Sequence, residues 1–188
     1  MPRLLEFRSE LMPDGEVRLN GTGMSAGSWT VPADLAALRK QPAQALWNLT
    51  CELMAVLQVF RHVRVAEREL AELGFRPPGF RAPGGFRPLR LVEFCADVDG
   101  GGRMTLNGAP VADMSVPGVL DEDTVKRLDP ERRELLFRRL EQVRDTLRRA
   151  YLAARVAAGE LVEVDGELRP TARAATAVWI SDPGVVRA

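Results

Sequence analysis

The sequence has few of the residues from which metal centres and catalytic sites are built. His62 is its one histidine, and Cys51 and Cys95 are its two cysteines. Two isolated thiols without a CxxC pair are typical of a reducing compartment, where cysteine is a small core residue. No Cys, Asp or Glu stands at HxxxH or HxxE spacing from His62, as a zinc site requires. We therefore expect no metal, no other cofactor and no histidine catalysis.

Long apolar runs and net charge are absent too. The longest apolar stretch, Leu53–Phe60, is far short of the roughly 20 residues that a membrane span needs. The N-terminal MPRLLEFRSEL lacks the apolar segment of a signal peptide. The 26 basic and 26 acidic side chains cancel, so nucleic-acid or membrane binding would need a local patch. We expect a cytoplasmic protein with no membrane partner.

Lysine is also scarce, since Lys40 and Lys126 are the only two, and nearly every cation is arginine. Arginine favours bidentate contacts to phosphate and carboxylate. A bias of the genome towards GC explains the same count without any such contact. The abundance of arginine alone therefore indicates no function.

The most informative feature that is present is an internal repeat. Arg3–Phe7 (RLLEF) recurs 87 positions later as Arg90–Phe94 (RLVEF), and Leu19–Gly21 (LNG) recurs at the same distance as Leu106–Gly108. Asn-Gly is common in turns, so convergent hairpins are the alternative explanation. Several matches in one register favour a duplication.

Each copy predicts three strands followed by a long helix. Alternation of apolar residues and turn signals such as Asn20-Gly21 predict strands in the first copy at residues 4–12, 16–19 and 22–31. The second copy predicts strands at residues 89–98, 103–106 and 109–116. Long helices are expected at about 43–73 and 130–158, the second capped by Asp129.

These elements predict an α+β fold. We expect an internal duplication of a β-β-β-α unit, with an antiparallel sheet and two long helices packed on one side. Asp165-Gly166 predicts a hairpin near the end, followed by a last strand at 175–180. A single domain then spans residues 1–188. It divides into a first repeat (3–73), a crossover (74–88), a second repeat (89–158) and a C-terminal hairpin and tail (159–188).

The second long helix carries a narrow apolar seam close to heptad spacing. We expect this seam to pack on the first helix or on a partner, and a seam exposed on the monomer would predict a dimer. The seam consists of Leu136, Leu140, Val143, Leu147, Ala150 and Ala154.

The crossover GFRPPGFRAPGGFRP repeats Gly-Phe-Arg three times. Proline stiffens such a segment, and its phenylalanines could fix it to the protein surface, so a structural connection is favoured. The alternative is a binding finger, because aromatic and arginine side chains together stack on unpaired bases.

These observations favour a non-enzymatic binding or assembly protein that contacts a protein partner, or itself, through helices or sheet edges. The alternative is a binder of single-stranded or duplex nucleic acid, with Trp29 as a further contact. An enzyme is the least supported, although Glu6 and Glu93 occupy matching positions that could meet for acid–base work. The candidate binding residues are Phe75, Arg76, Phe80, Arg81, Phe86, Arg87, Arg138, Arg139, Arg148 and Arg149.

Overall fold

The computed structural model describes residues 2–75, 82–111 and 122–173. The strands are β1 (Arg3–Leu11), β2 (Val17–Leu19), β3 (Thr22–Gly23), β4 (Leu89–Val98), β5 (Met104–Leu106), β6 (Ala109–Pro110), β7 (Leu161–Val164) and β8 (Glu167–Pro170). The helices are α1 (Leu35–Leu38), α2 (Ala43–Glu72), α3 (Glu122–Lys126) and α4 (Pro130–Ala157).

Six strands form one antiparallel sheet in the order β3-β2-β1-β4-β5-β6, and β7 and β8 form a separate hairpin. The α+β class, the antiparallel sheet, the two long helices and the C-terminal hairpin are therefore confirmed. Alternation explains β1 from Leu5 to Leu11, where every second residue is buried, whereas β4 buries neighbouring residues on both of its sides.

The two central strands pair symmetrically. Phe7 of β1 lies opposite Phe94 of β4. Arg3 lies opposite Asp97 on one side of this pair, and Glu10 lies opposite Arg90 on the other. An irregularity in register occurs once on each side of the phenylalanine pair. The set of paired residues is therefore the same when 87 is added to each residue number of β1 and subtracted from each residue number of β4.

The second hairpin turn of each half, which joins β2 to β3 and β5 to β6, is held in the same way. Asn20 has φ 49°, and its side chain accepts from the N–H of Arg8 at 2.7 Å and donates to the carbonyl of Glu6 at 3.3 Å. Asn107 has φ 50° and makes the same two bonds to β4, at 2.9 and 2.7 Å. Asparagine tolerates this left-handed conformation, which explains its place in both turns.

The long helices α2 and α4 run antiparallel and cover one side of the sheet. Their first residues lie 87 positions apart, as the repeated sequence suggests. Asp129 caps α4, because its carboxylate accepts from the N–H of Arg132 at 3.0 Å, as expected. Asp34 caps α1 through the N–H of Ala37 at 2.9 Å.

A single cluster of buried apolar side chains lies between the helices and the sheet. Every residue of the predicted seam on α4 belongs to it, and the four from Leu136 to Leu147 are fully buried. The seam thus contacts the core of its own chain. It offers no surface to a second copy, which removes the reason for expecting a dimer through it.

The third strand of the first half is shorter than the sequence suggests. It ends at Gly23 and not at residue 31, because Arg139 of α4 binds the carbonyls of Ser25 and Gly27 and Trp29 packs on Phe7. The carbonyls of Ser25 and Gly27 therefore accept hydrogen bonds from a side chain of α4 and not from the backbone of a neighbouring strand.

In the second half, β6 likewise ends at Pro110 and not at residue 116, and residues 112–121 lie outside the described part. The predicted last strand at 175–180 also lies outside it. No helix in the described part of the chain is both long and apolar enough to cross a membrane.

Candidate binding surface

The solvent side of the sheet is covered by ion pairs. Arg3 bonds Asp97 at 2.6 Å, and Arg8 lies 3.4 Å from Glu93. Glu6 lies 3.2 Å from Arg3 and 3.7 Å from Arg8, so Arg8 contacts both Glu6 and Glu93, and each carboxylate is paired with arginine. This surface is balanced in charge, which makes it a poor site for a polyanion.

The sheet edges offer little for strand addition. The outer strands β3 and β6 have two residues each, and β6 ends in proline, which lacks an N–H. Of the binding surfaces that the sequence suggested, the helix layer is therefore the candidate that remains.

One end of the helix pair, which we call the closed end, is covered by the chain. The rings of Trp47 and Tyr151 lie 5.6 Å apart between α2 and α4. Arg155 is buried, lies 5.7 Å from the Tyr151 ring centre and bonds Glu160 at 3.1 Å. The hairpin follows directly, with Leu161 buried. Interactions within the chain therefore occupy this end.

The opposite end, which we call the open end, contains a cleft of about 170 Å³. Phe60 and Phe137 face each other there with ring centres 6.1 Å apart. The cleft is lined by Phe60, Arg61, Arg64 and Glu67 from α2 and by Pro130, Arg133, Glu134 and Phe137 from α4. It is smaller than the roughly 300–1,000 Å³ of small-molecule pockets, so it suits a side chain better than a metabolite.

Carboxylates in the cleft are already paired. Glu67 binds the buried Arg133. Glu134 lies 3.2 Å from Arg64 and also 3.2 Å from Arg138 on its own helix. Three arginines against two glutamates leave one positive charge in excess.

Exposed apolar residues cluster where α2 ends beside the open end. Leu70 and Leu73 lie one turn apart and are 47% and 73% exposed, and Phe75 is 63% exposed. Gly74 has φ 83°, which lets the N–H of Phe75 bond the carbonyl of Leu70 at 2.9 Å. This hydrogen bond ends the helix and holds the backbone at Phe75 close to the last turn. We call the three exposed side chains of Leu70, Leu73 and Phe75 the apolar cap.

The candidate residues of the crossover have different environments. Phe75 is exposed and therefore does not fix the crossover to the surface, whereas Phe86 is partly buried against the core. Arg87 is exposed. Arg76, Phe80 and Arg81 lie outside the described residues.

The candidate arginines of α4 do not form one basic patch. Arg138 is exposed and paired with Glu134, whereas Arg139 is buried, with its guanidinium 5.5 Å from the Trp29 ring centre. Arg148 and Arg149 are exposed. Acidic residues stand among them, so the surface charge alternates in sign.

Two further grooves are larger than the cleft and fall within the size range of small-molecule pockets. A groove of about 340 Å³ between Trp29 and Arg149 contains Asp145, and one of about 400 Å³ lies between Ala45 and Val111. Within residues 2–75, 82–111 and 122–173, no group of three or more His, Cys, Asp or Glu could hold a metal. His62 is exposed, and its Nε2 lies 3.0 Å from the side-chain amide of Gln58.

The sequence analysis missed the cleft. The spacing of Arg61 and Arg64, one turn apart on α2, indicated that they share a side of the helix. No pattern in the sequence indicated that they contact Phe137 of α4. Comparison of this chain with models of protein families, with curated proteins and with solved structures finds no match.

Proposed function

We propose that this is a non-enzymatic binding or assembly protein that contacts a protein partner through the open end of its helix layer. The observation that carries the proposal is the apolar cap beside a cleft with excess positive charge. Apolar side chains on a hydrogen-bonded helix end lose less entropy on binding than those on an unstructured segment, which favours association. Among the described residues, the outer strands are short and the solvent side of the sheet is ion-paired, so neither offers a comparable combination of apolar and positively charged side chains.

Site-specific photocrosslinking in the source cells tests the proposal. We place p-benzoylphenylalanine at position 73 of the full chain, and at position 18 on the ion-paired side of the sheet as a control. The expected result is a discrete adduct from position 73 that disappears in the double variant Leu70→Ser, Phe75→Ser.

Three results would contradict the proposal of a partner at this end. They are the same adducts from both positions, adducts that persist in the double variant, and no adduct at all. An adduct of twice the mass of the chain would identify a second copy as the partner. Circular dichroism of the double variant checks that the fold is intact.

Nucleic-acid binding has weaker support, because acidic residues stand among the arginines of α4. Titration with a labelled single-stranded or duplex oligonucleotide tests it. Phosphate contacts predict an affinity that falls steeply as salt increases. An affinity that is flat in salt, or no binding at micromolar protein, would exclude this alternative.

We also infer that the chain arose by duplication of a β-β-β-α unit. The common offset of 87 between matched strand registers, turn bonds and starts of the long helices supports this inference. In an experimental structure, residues 3–72 should superpose on the second half with that one offset. A superposition that needs different offsets for the sheet and the helices would count against it.

A further inference from the structure

The chemistry of the cleft indicates what the partner presents to it, and this inference rests on the proposed function. The guanidinium carbons of Arg61 and Arg64 both lie 5.9 Å from the ring centre of Phe137. Each arginine is attracted by the electrons of the ring, so two positive charges border one aromatic side chain of the cleft. An anion that enters the cleft would be attracted by both.

Arg61 is the arginine that remains available. Arg64 is engaged with Glu134, and Arg133 with Glu67. Within the part of the chain that the structure describes, Arg61 has no ion pair. It is half-buried against an apolar ring, where a charge-assisted hydrogen bond is stronger than in open solvent.

An exposed apolar residue lies next to Arg61. Val65 follows it by one helical turn on the same side of α2 and is 57% exposed. A ligand that reaches Arg61 with a carboxylate can therefore place an apolar group on Val65. The small volume of the cleft admits the carboxylate but not a large metabolite.

We propose that the cleft binds an acidic side chain of a partner polypeptide, with a neighbouring apolar side chain of the partner on Val65. Arg61 donates hydrogen bonds to the carboxylate, and Phe137 forms the floor of the cleft. The apolar cap then contacts a further part of the same partner. The cleft thus selects an acidic residue, while the apolar cap supplies most of the apolar contact.

The test uses the full chain on an array of random decapeptides, each present with a free and with an amidated C-terminus. The expected result is enrichment of peptides that carry Asp or Glu beside an apolar residue, whichever terminus they have. Binding that requires the free C-terminus would show that a terminal carboxylate, and not a side chain, is recognised. That result would overturn the proposal.

The best peptide is then titrated against variants. Arg61→Gln should weaken binding about tenfold or more, since a charge-assisted hydrogen bond is lost. Arg18→Gln is the control, because Arg18 is an exposed arginine on the ion-paired side of the sheet, and it should leave affinity unchanged. Val65→Asp should weaken binding through repulsion of the acidic ligand.

The outcomes separate the two proposals. Enriched peptides whose affinity is unaffected by Arg61→Gln would overturn the acidic side-chain site and leave the apolar cap as the binding surface. An array without acidic enrichment would overturn it as well. Absence of any adduct from position 73 in the unmodified chain, together with peptide binding that depends on Arg61, would contradict the proposed partner surface alone.

Discussion

The two ends of the helix pair differ although they are built from matching positions of the two halves. At the closed end, Tyr151 packs on Trp47 and is covered by Arg155. At the open end, the position of Tyr151 is taken by Arg64, 87 residues earlier, and its guanidinium faces Phe137. One end therefore contributes mainly to stability, while the other retains a cleft.

The helix caps show the same difference. Both long helices end in a glycine of positive φ, Gly74 with 83° and Gly159 with 72°. The residue after Gly159 is Glu160, which pairs with Arg155, and the hairpin is fastened there by Thr171, whose hydroxyl bonds the Gly159 carbonyl at 2.7 Å. The residue after Gly74 is the exposed Phe75. The same backbone conformation at the helix end is therefore followed by a contact within the chain in α4 and by an exposed apolar side chain in α2.

The largest expected effect is at the closed end. Arg155→Met should lower the free energy of unfolding by about 3 kcal/mol, because it leaves the carboxylate of Glu160 without its partner. Urea denaturation followed by tryptophan fluorescence measures it. Arg148→Met, on an exposed position of the same helix, is the control and should change stability by less than about 0.5 kcal/mol. Equal effects of the two substitutions would contradict the stabilising role of the closed end.

The next effect compares the halves themselves. Asn20→Ala and Asn107→Ala should each cost about 1–2 kcal/mol, because each removes two side-chain bonds to the sheet backbone and strains a residue of positive φ. Chemical denaturation of both variants under the same conditions measures the pair. A difference of more than about 1 kcal/mol between them would show that the two turns, despite equal geometry, are not energetically equivalent.

A smaller change in stability is expected at the open end. Arg61→Gln should lower the free energy of unfolding by no more than about 1 kcal/mol, the usual value of a cation–π contact near the surface. The same denaturation experiment measures it. A loss as large as that of Arg155→Met would make Arg61 a structural residue and weaken the distinction between the two ends.

The smallest effect concerns Glu52 on α2, whose counterpart 87 positions later is the buried Arg139. Burial raises the pKa of Glu52 above the 4.5 of the free side chain, so the folded state binds its proton more tightly than the unfolded state. Its charge then costs stability above the raised pKa, and this cost disappears as pH falls to about 4.5.

Glu52→Gln should therefore raise stability slightly at pH 7 and have no such benefit near pH 4. Denaturation at the two pH values measures the difference. Glu69→Gln, at an exposed position of the same helix, is the control. A gain that is equal at both pH values would assign the effect to packing and not to ionisation.

Much of the architecture was predictable because it depends on neighbours in sequence. The Asn-Gly turns, the cap at Asp129 and the long helices follow from residues within a few positions of one another. The prediction that the third strand extends to residue 31 was wrong. Arg139, which lies far along the chain, binds the carbonyls of Ser25 and Gly27 in place of a neighbouring strand. The heptad-like seam was visible, but its pattern is the same whether it packs on its own core or on a partner.

The order of elements, the type of each turn and the apolar side of each helix were fixed by the chain, since backbone preferences and periodicity act locally. The meeting of Arg61 with Phe137, the covering of Tyr151 by Arg155 and the exposure of Phe75 were decided only when α2 packed antiparallel to α4. Such contacts join residues that no local pattern relates. The packing therefore covered one end of the helix pair and left an exposed cleft and apolar side chains at the other.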